Sequence, residues 1–402
     1  MNKLTRPGIA LLMGSVVLAG CAGTPAATGT PAAATNPPPA ATDAVPTGNP
    51  EDPLTLTWDQ VVEQAKAEKE LSFYAWWGED FWKEAALKFT EKYGIAVNVI
   101  IADGAIDKIL AEKDKAVGTV DVDLLGGAAA KTAMDAGLFY GPIFPSMPSS
   151  KDLTPGLAQY QEGTETGGYL VPIYRNQTIF VYDPDQVPNP PQTWAEFDAW
   201  VKANPKGFSY SDPNKGGTGQ AFVQTVIANL TGGIDKYKGD TEVDPAKVAN
   251  WDLAWDWLKA NNPNMNLTLS NSESLDLLNQ GAAKLAILWD DDTLAAKAKG
   301  TIFKRAVAYI PSLGLAGGGD TAGVVKNAPH KAAGLLFIDF LTSRDMQVLL
   351  NQTVGSTPAR TDITDVPTLF PEEQRQNNGT TWVPTSYKTL IKEDFTKKLL
   401  LQ

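Results

Sequence analysis

The chain has 402 residues, with 34 lysines and arginines against 46 aspartates and glutamates, and a net charge of −12 at neutral pH. That balance argues against a nucleic-acid partner, whose phosphates call for a basic face. A single cysteine, Cys21, and a single histidine, His330, exclude an intramolecular disulfide and a cysteine-built metal site and would leave a zinc or Ser-His-Asp centre resting on one imidazole, so neither a metal nor a cofactor is expected.

Residues 1–20 carry a basic start at Lys3 and Arg6, an apolar run from Ile9 to Leu18, and small residues at Ala19 and Gly20. This is the pattern of a secretory signal peptide. The apolar run is too short for a membrane anchor, since crossing the hydrocarbon core takes about 20 residues. Leu18-Ala19-Gly20-Cys21 resembles the bacterial lipoprotein processing site, which implies that Cys21 becomes the lipidated N-terminus. Residues 21–53 are dominated by Ala, Thr, Pro and Gly, with no bulky apolar residue before Val45. Such a segment cannot bury enough surface to fold and reads as a tether. The expected location is the bacterial cell envelope, extracytoplasmic and held to a membrane through Cys21.

From Trp58 to Glu70 the spacing is helical. Leu71 to Gly78 reads as a strand, and Phe81, Trp82, Ala85, Ala86 and Phe89 form the apolar face of a helix that Gly94 ends. A strand follows at 95–101, a helix from Ile106 to Val117, and a strand from Val120 to Leu125 that runs into Gly126-Gly127. This βαβαβ order predicts a mostly parallel sheet flanked by helices. Ligands of such sheets sit beyond the carboxyl ends of the strands, here Trp76-Trp77-Gly78 and Gly126-Gly127. Adjacent strand residues face opposite ways, so one of Trp76 and Trp77 is expected in the core and the other in a cleft. The span from Leu54 to Gln402 exceeds one hydrophobic core and suggests two lobes.

Further along, Tyr210 to Gln220 is a polar, glycine-rich loop opening a helix from Ala221 to Leu230. It lacks P-loop spacing; backbone N–H groups at such a helix start can hold an anion, but the segment reads more readily as an ordinary capped loop. Trp194, Trp200, Trp251, Trp255 and Trp257 recur at helical spacing and read as core of a second lobe. His330, between Pro329 and Lys331, is expected to be exposed at a helix start.

Several segments, taken in order, carry a family resemblance. Tyr169-Leu170-Val171-Pro172-Ile173-Tyr174, Ile179-Phe180-Val181-Tyr182-Asp183 and Pro190-Pro191-Gln192-Thr193-Trp194-Ala195-Glu196-Phe197 come first. Leu278 to Trp289, Ala328 to Ser343 and Gly355-Ser356-Thr357-Pro358-Ala359 follow. Together they resemble the extracellular solute-binding proteins of bacterial ABC importers, the group that contains the maltose- and polyamine-binding proteins. The resemblance implies an α/β, two-lobed periplasmic-binding-protein-like fold with three crossovers, near Asn176, Asp290 and Gly319. Lobe one would then be residues 54–175 plus 291–318, and lobe two residues 176–290 plus 319–402. It also implies a monomeric, non-enzymatic receptor that hands a small solute to the membrane subunits of an ABC importer, its lobes closing on that solute.

The candidate ligand-binding residues are Trp76, Trp77, Gly127, Tyr174, Arg175, Asn176, Trp289, Asp290 and Asp291. The tryptophans could stack on a sugar face or hold a cation against the ring. Arg175 could fork onto a carboxylate or phosphate, or make only a surface ion pair. Of the three carboxylates Asp290-Asp291-Asp292, one facing the cleft would suit a cationic or polyhydroxylated solute, and at least one is expected to cap the following helix. A lipid-anchored glycoside hydrolase working with paired carboxylates is the competing class, and a glycan-adhesion lipoprotein a weaker third. The ordered crossover segments favour the receptor.

Overall fold

The computed structural model describes residues 51–102 and 105–401. The expected signal peptide, the lipidation site Cys21 and the tether up to Pro50 lie outside the described residues. The end of the expected tether is already tied down. The Asp52 carboxylate accepts from the Leu54 N–H at 3.2 Å and from the Tyr140 hydroxyl.

The first half follows the sequence pattern closely. Helix α1 (Trp58–Glu68) begins where Gln60 reaches back to the Thr57 N–H at 2.9 Å, one arm of a capping box. Strand β1 (Glu70–Ala75) leads into α2 (Glu79–Tyr93), which buries the expected face of Phe81, Trp82, Ala85, Ala86 and Phe89 and ends at Gly94 in the left-handed conformation. Then come β2 (Ala96–Ile101), α3 (Ala105–Glu112), β3 (Val122–Leu125) and α4 (Gly127–Asp135). A short helix α5 (Pro155–Gln159), the hairpin β4 (Tyr160–Gln161) and β5 (Thr164–Glu165), and β6 (Val171–Pro172) complete this stretch.

After β6 the chain enters a second sheet through β7 (Tyr174–Tyr182) and continues with α6 (Trp194–Ala203), β8 (Phe208–Ser211), α7 (Gly217–Thr231), α8 (Pro245–Val248) and α9 (Asp252–Asn261). Next are β9 (Met265–Thr268), α10 (Asn271–Asn279), β10 (Leu285–Trp289), α11 (Asp290–Lys299), β11 (Val307–Tyr309) and β12 (Leu315–Gly318). The chain returns to the first sheet with β13 (Thr321–Val324), α12 (Lys331–Leu341) and α13 (Arg344–Val354). It comes back to the second with β14 (Thr357–Pro358), α14 (Glu372–Asn378), β15 (Gly379–Thr380) and α15 (Thr385–Phe395).

The first sheet has the order β2-β1-β3-β13-β6, and the second β15-β12-β7-β10-β8-β9 with β11 and β14 also on β7. Ladders within the βαβ units, β1 with β2 and β3 and β8 with β9 and β10, are parallel. Strands arriving from distant sequence, β13 beside β3 and all partners of β7, run antiparallel. Each sheet is therefore mixed where the sequence pattern predicted a mostly parallel one.

Two hydrophobic cores result, and they redraw the expected lobes. The first gathers residues between Val61 and Tyr174 and between Ala322 and Ala359, the second residues between Ile179 and Ala316 and between Phe370 and Phe395. Residues 291–318, expected in lobe one, pack in the second core through Ala296, Ile302, Ala308 and Leu315, because β11 and β12 both pair with β7. Conversely, α12 and α13 supply Leu335, Phe337, Leu341 and Leu350 to the first core. The crossings fall between Tyr174 and Ile179, between Ala316 and Ala322, and between Ala359 and Phe370. No crossing occurs at Asp290, since β10 and the helix after it stay with the second core. Trp251 and Trp255 are buried in that core, while Trp194, Trp200 and Trp257 pack against it half-buried. His330 precedes α12 as expected but is half-buried, its ring 3.2 Å from the Asp121 carboxylate. Among the described residues, no helix is long and apolar enough to cross a membrane.

Candidate ligand-binding cleft

A cleft of about 1020 Å³ opens where the two sheets meet. Its walls are the segments just past strand ends and at the crossings, where backbone leaves the ladder and side chains are free to converge. On the first-lobe side lie Trp76, Trp77, the start of α4 at Gly126 to Ala129, Glu162 and Asp320. On the other side lie Trp289, Asp291, the start of α7, Asn271, Trp382 and Lys388. Tyr174 and Asn176, at the first crossing, also line it.

Asp320 organises the first-lobe wall. One of its carboxylate oxygens, Oδ2, accepts from the indole N–H of Trp76 at 3.0 Å, from that of Trp77 at 3.0 Å and from the Tyr174 hydroxyl at 2.7 Å. Trp77 packs half-buried against the first core and Trp76 does not, yet both line the cleft, because β1 ends at Ala75 and both residues sit in the bend beyond the strand. Trp77 is wedged edge-on between Tyr174 at 5.3 Å and Trp82 at 5.6 Å, while Trp76 remains 48% exposed. Burial pushes the Asp320 carboxyl up to about 6, and the three donors hold it from rising further. Burial, then the charges of Asp320 and Asp291, push the Tyr174 hydroxyl well above its ordinary value, which places both carboxylates near one phenol.

Asp320 can stand there because Gly319 before it adopts φ 151°, with its α-carbon packed against the Tyr174 carbonyl. A β-carbon at Gly319 would lie 1.8 Å from that oxygen.

The second-lobe wall pairs Trp289 and Trp382, with ring centroids 6.1 Å apart. The Lys388 ammonium lies 4.3 Å from the Trp382 ring centroid and 2.5 Å from the Glu162 carboxylate, joining α15 to the β4–β5 hairpin across the cleft. Glu162 in turn lies over the start of α4, close enough that a β-carbon on Gly127 would sit 1.8 Å from its Oε2. A carboxylate at a helix N-terminus is favourably placed against the helix dipole. Asp291 is half-buried in the cleft, and burial followed by the charges of Asp290 and Asp292 raises its carboxyl well above the usual range. The loop before α7 is capped internally, Asp212 accepting from the Asn214 N–H at 2.8 Å, yet Lys215, Gly216, Gly217 and Gln220 line the cleft.

Of the nine residues singled out in the sequence, Trp76, Trp77, Gly127, Tyr174, Asn176, Trp289 and Asp291 come together here. Arg175 and Asp290 do not. Arg175 points away, its Nε donating to the Pro358 carbonyl at 2.9 Å and its Nη1 to Glu372 at 2.7 Å. Asp290 is 4% exposed and serves as a strut. It accepts from the Gln177 N–H at 2.7 Å, the Asp291 N–H at 3.0 Å and the Arg375 Nη2 at 2.9 Å, so its charge is already compensated. Sequence reasoning misses Asp320, Glu162, Trp382 and Lys388. The one sequence signal for Asp320 is its place directly after Gly317-Gly318-Gly319 and before a strand. Among the described residues, no group of three or more His, Cys, Asp or Glu side chains is arranged to hold a metal ion.

Residues 84–376 match the family model described as bacterial extracellular solute-binding protein. The chain belongs to that family. Solved structures similar to it include a spermidine/putrescine ABC transporter substrate-binding protein, PotD, from Streptococcus pneumoniae, at 14% identity and TM-score 0.64, covering 82% of this chain and 99% of that one. A periplasmic binding protein from Actinobacillus pleuropneumoniae, AfuA, with fructose-6-phosphate bound, aligns at 16% identity and TM-score 0.58 over 83% of this chain and 99% of that one. Iron-bound HitA from Pseudomonas aeruginosa aligns at 18% identity and TM-score 0.59 over 81% and 98%. At these identities the likeness establishes the two-lobed α/β fold and nothing about the solute. No curated protein sequence matches the chain.

Proposed function

We propose that this solute-binding protein captures a small organic cation between its lobes and presents it to the membrane subunits of an ABC importer, without catalysing a reaction. The observation that carries the choice of solute is Asp320. A buried carboxylate framed by two indoles and a phenol offers a cation both a counter-charge and aromatic faces. Across the cleft Asp291 adds a second carboxylate near the same phenol. Burial raises both carboxyls, and a cation placed between them favours their charged forms, so that cation binding and lobe closure reinforce one another. A neutral sugar would offer neither carboxylate a counter-charge. Tethering through a lipid at Cys21 fits such a receptor, since it keeps the protein near its importer while the lobes face the external medium. The PotD likeness agrees with a cationic solute, and the AfuA likeness warns that the fold alone does not choose.

The test is a mass spectrum of solute released from natively purified protein, followed by calorimetry with two sets of compounds, alkylamines and neutral sugars. Amine binding that is lost in Asp320→Ala is the expected result. Binding confined to sugars, or turnover of glycosides, would overturn the proposal.

A further inference from the structure

A side groove of about 220 Å³ opens off the cleft at Trp289. Trp289, Asn271, Asp292, Ala295 and Lys299 belong to the walls of both, so the two spaces adjoin. The groove lies between α10 and α11. It exists because α11 presents alanines there: Ala295 and Ala296 stand where longer side chains would close the gap to Leu275 of α10 and Leu288 of β10. Leu288 and Ala296 are buried and Leu275 and Ala295 half-buried, which makes the floor apolar. The polar atoms around it are already engaged within the protein. The Thr293 hydroxyl donates to the Trp289 carbonyl at 2.7 Å and that of Thr301 to the Ala296 carbonyl at 3.3 Å, while Asn271 Oδ1 accepts from the Thr218 hydroxyl at 2.8 Å. Ser272, Asp292 and Lys299 stand exposed at the rim. At the junction the Trp289 indole rests on Gly217, where a β-carbon would lie 2.7 Å from its Cζ2.

An apolar floor with no free hydrogen-bonding group suits an apolar occupant and penalises a charged or hydroxylated one, which would lose its water without replacement. The space is wider than a methylene chain needs, and an apolar cavity of about 150 Å³ already holds a benzene ring. We infer that the groove is a tail site of the cleft, receiving a flat apolar ring carried by the same solute whose ammonium pairs with Asp320. The Trp289 indole at the junction gives that ring an aromatic partner, edge-to-face or offset. This rests on the cationic reading of the cleft and deepens it, from small organic cations in general to arylalkylamines. A diamine, charged at both ends, has nothing to place in the groove.

The experiment is titration calorimetry on the full protein with ω-phenylalkylamines, from phenethylamine to 6-phenylhexylamine, each beside the n-alkylamine that lacks the ring. The parent should bind at least one phenylalkylamine tenfold or more tightly than its ringless counterpart, with a more negative heat-capacity change, the mark of added apolar burial. Leu275 lines the groove but not the cleft, and Leu275→Trp fills the groove from α10. This variant should lose the advantage of the ring and bind the n-alkylamines as the parent does. Where Leu275→Trp does not fold, Ser272→Trp at the exposed rim gives the same reading. A ring that adds nothing in the parent at any chain length, or an advantage that either folded variant keeps, overturns the tail site, and amine binding that Asp320→Ala abolishes then still upholds the cationic cleft. A parent that binds none of these amines overturns both.

Discussion

Replacing Asp290 by alanine separates two roles that the sequence left open, solute contact and internal strut. The carboxylate accepts from two backbone N–H groups, from the Arg375 guanidinium at 2.9 Å and from the Thr357 hydroxyl at 3.3 Å, and both ends of the ion pair are nearly inaccessible, 12% and 5% by side chain. Removing one partner of such a pair leaves the other charge buried without compensation, at a cost of about 3–5 kcal/mol. That is a large part of the roughly 5–15 kcal/mol that usually separates folded from unfolded protein. Urea unfolding followed by circular dichroism should show the midpoint falling by on the order of 1 M at an unchanged slope. Asp290→Ala combined with Arg375→Met should recover a good part of the loss, because the stranded cation is gone. Solute affinity measured well below the unfolding midpoint should be that of the parent. An unaltered midpoint together with lost binding would refute the strut and return Asp290 to the cleft.

Three further outcomes are expected. With its carboxyl raised by burial to about 8 against an ordinary 3.8, Asp123 retains in the native state a proton that the unfolded chain has released, so the empty protein should lose stability as pH rises from about 4 to about 8; thermal melts of Asp123→Asn across that range should be flatter than the parent's. Trp289→Ala should weaken solute binding at least tenfold by calorimetry, since a stacked aromatic contributes about 1 kcal/mol or more beyond its area, with a fold unchanged by circular dichroism. Glu162→Gln removes the charge that ties the β4–β5 hairpin to Lys388, and small-angle scattering of the solute-free variant should give a larger radius of gyration than the parent; an identical curve would count against a cross-cleft tie.

The parts of the fold that were legible in the sequence are those set by local rules. The apolar face of α2 and the strand-helix alternation up to Gly127 follow from periodicity, and the cleft tryptophans follow from where strands end. Lobe membership was not legible. Helix α12 buries Leu335, Leu336, Phe337 and Ile338 on all sides, so its sequence says that it is covered but not by which sheet. Arg175 and Asp290 were misplaced for a related reason. Their partners, Glu372 and Arg375, lie far along the chain on α14, and an arginine or aspartate at a crossing looks the same in sequence whether it faces solute or a distant counter-ion. Asp320 was missed because no motif surrounds it, and only the backbone geometry at Gly319 reveals why an acid stands there.

Gly127 has no side chain to give a solute, yet much of the cleft's electrostatic character depends on it. Its bare α-carbon leaves the space that the Glu162 carboxylate fills, and that carboxylate in turn engages the Lys388 ammonium beside Trp382. The start of α4 is therefore occupied by an anion the protein supplies itself. A single methyl group at position 127 would evict that resident anion and free a helix terminus and a lysine together, which favours ligands of negative charge. A change of diet in this receptor need not begin at any residue that touches the nutrient.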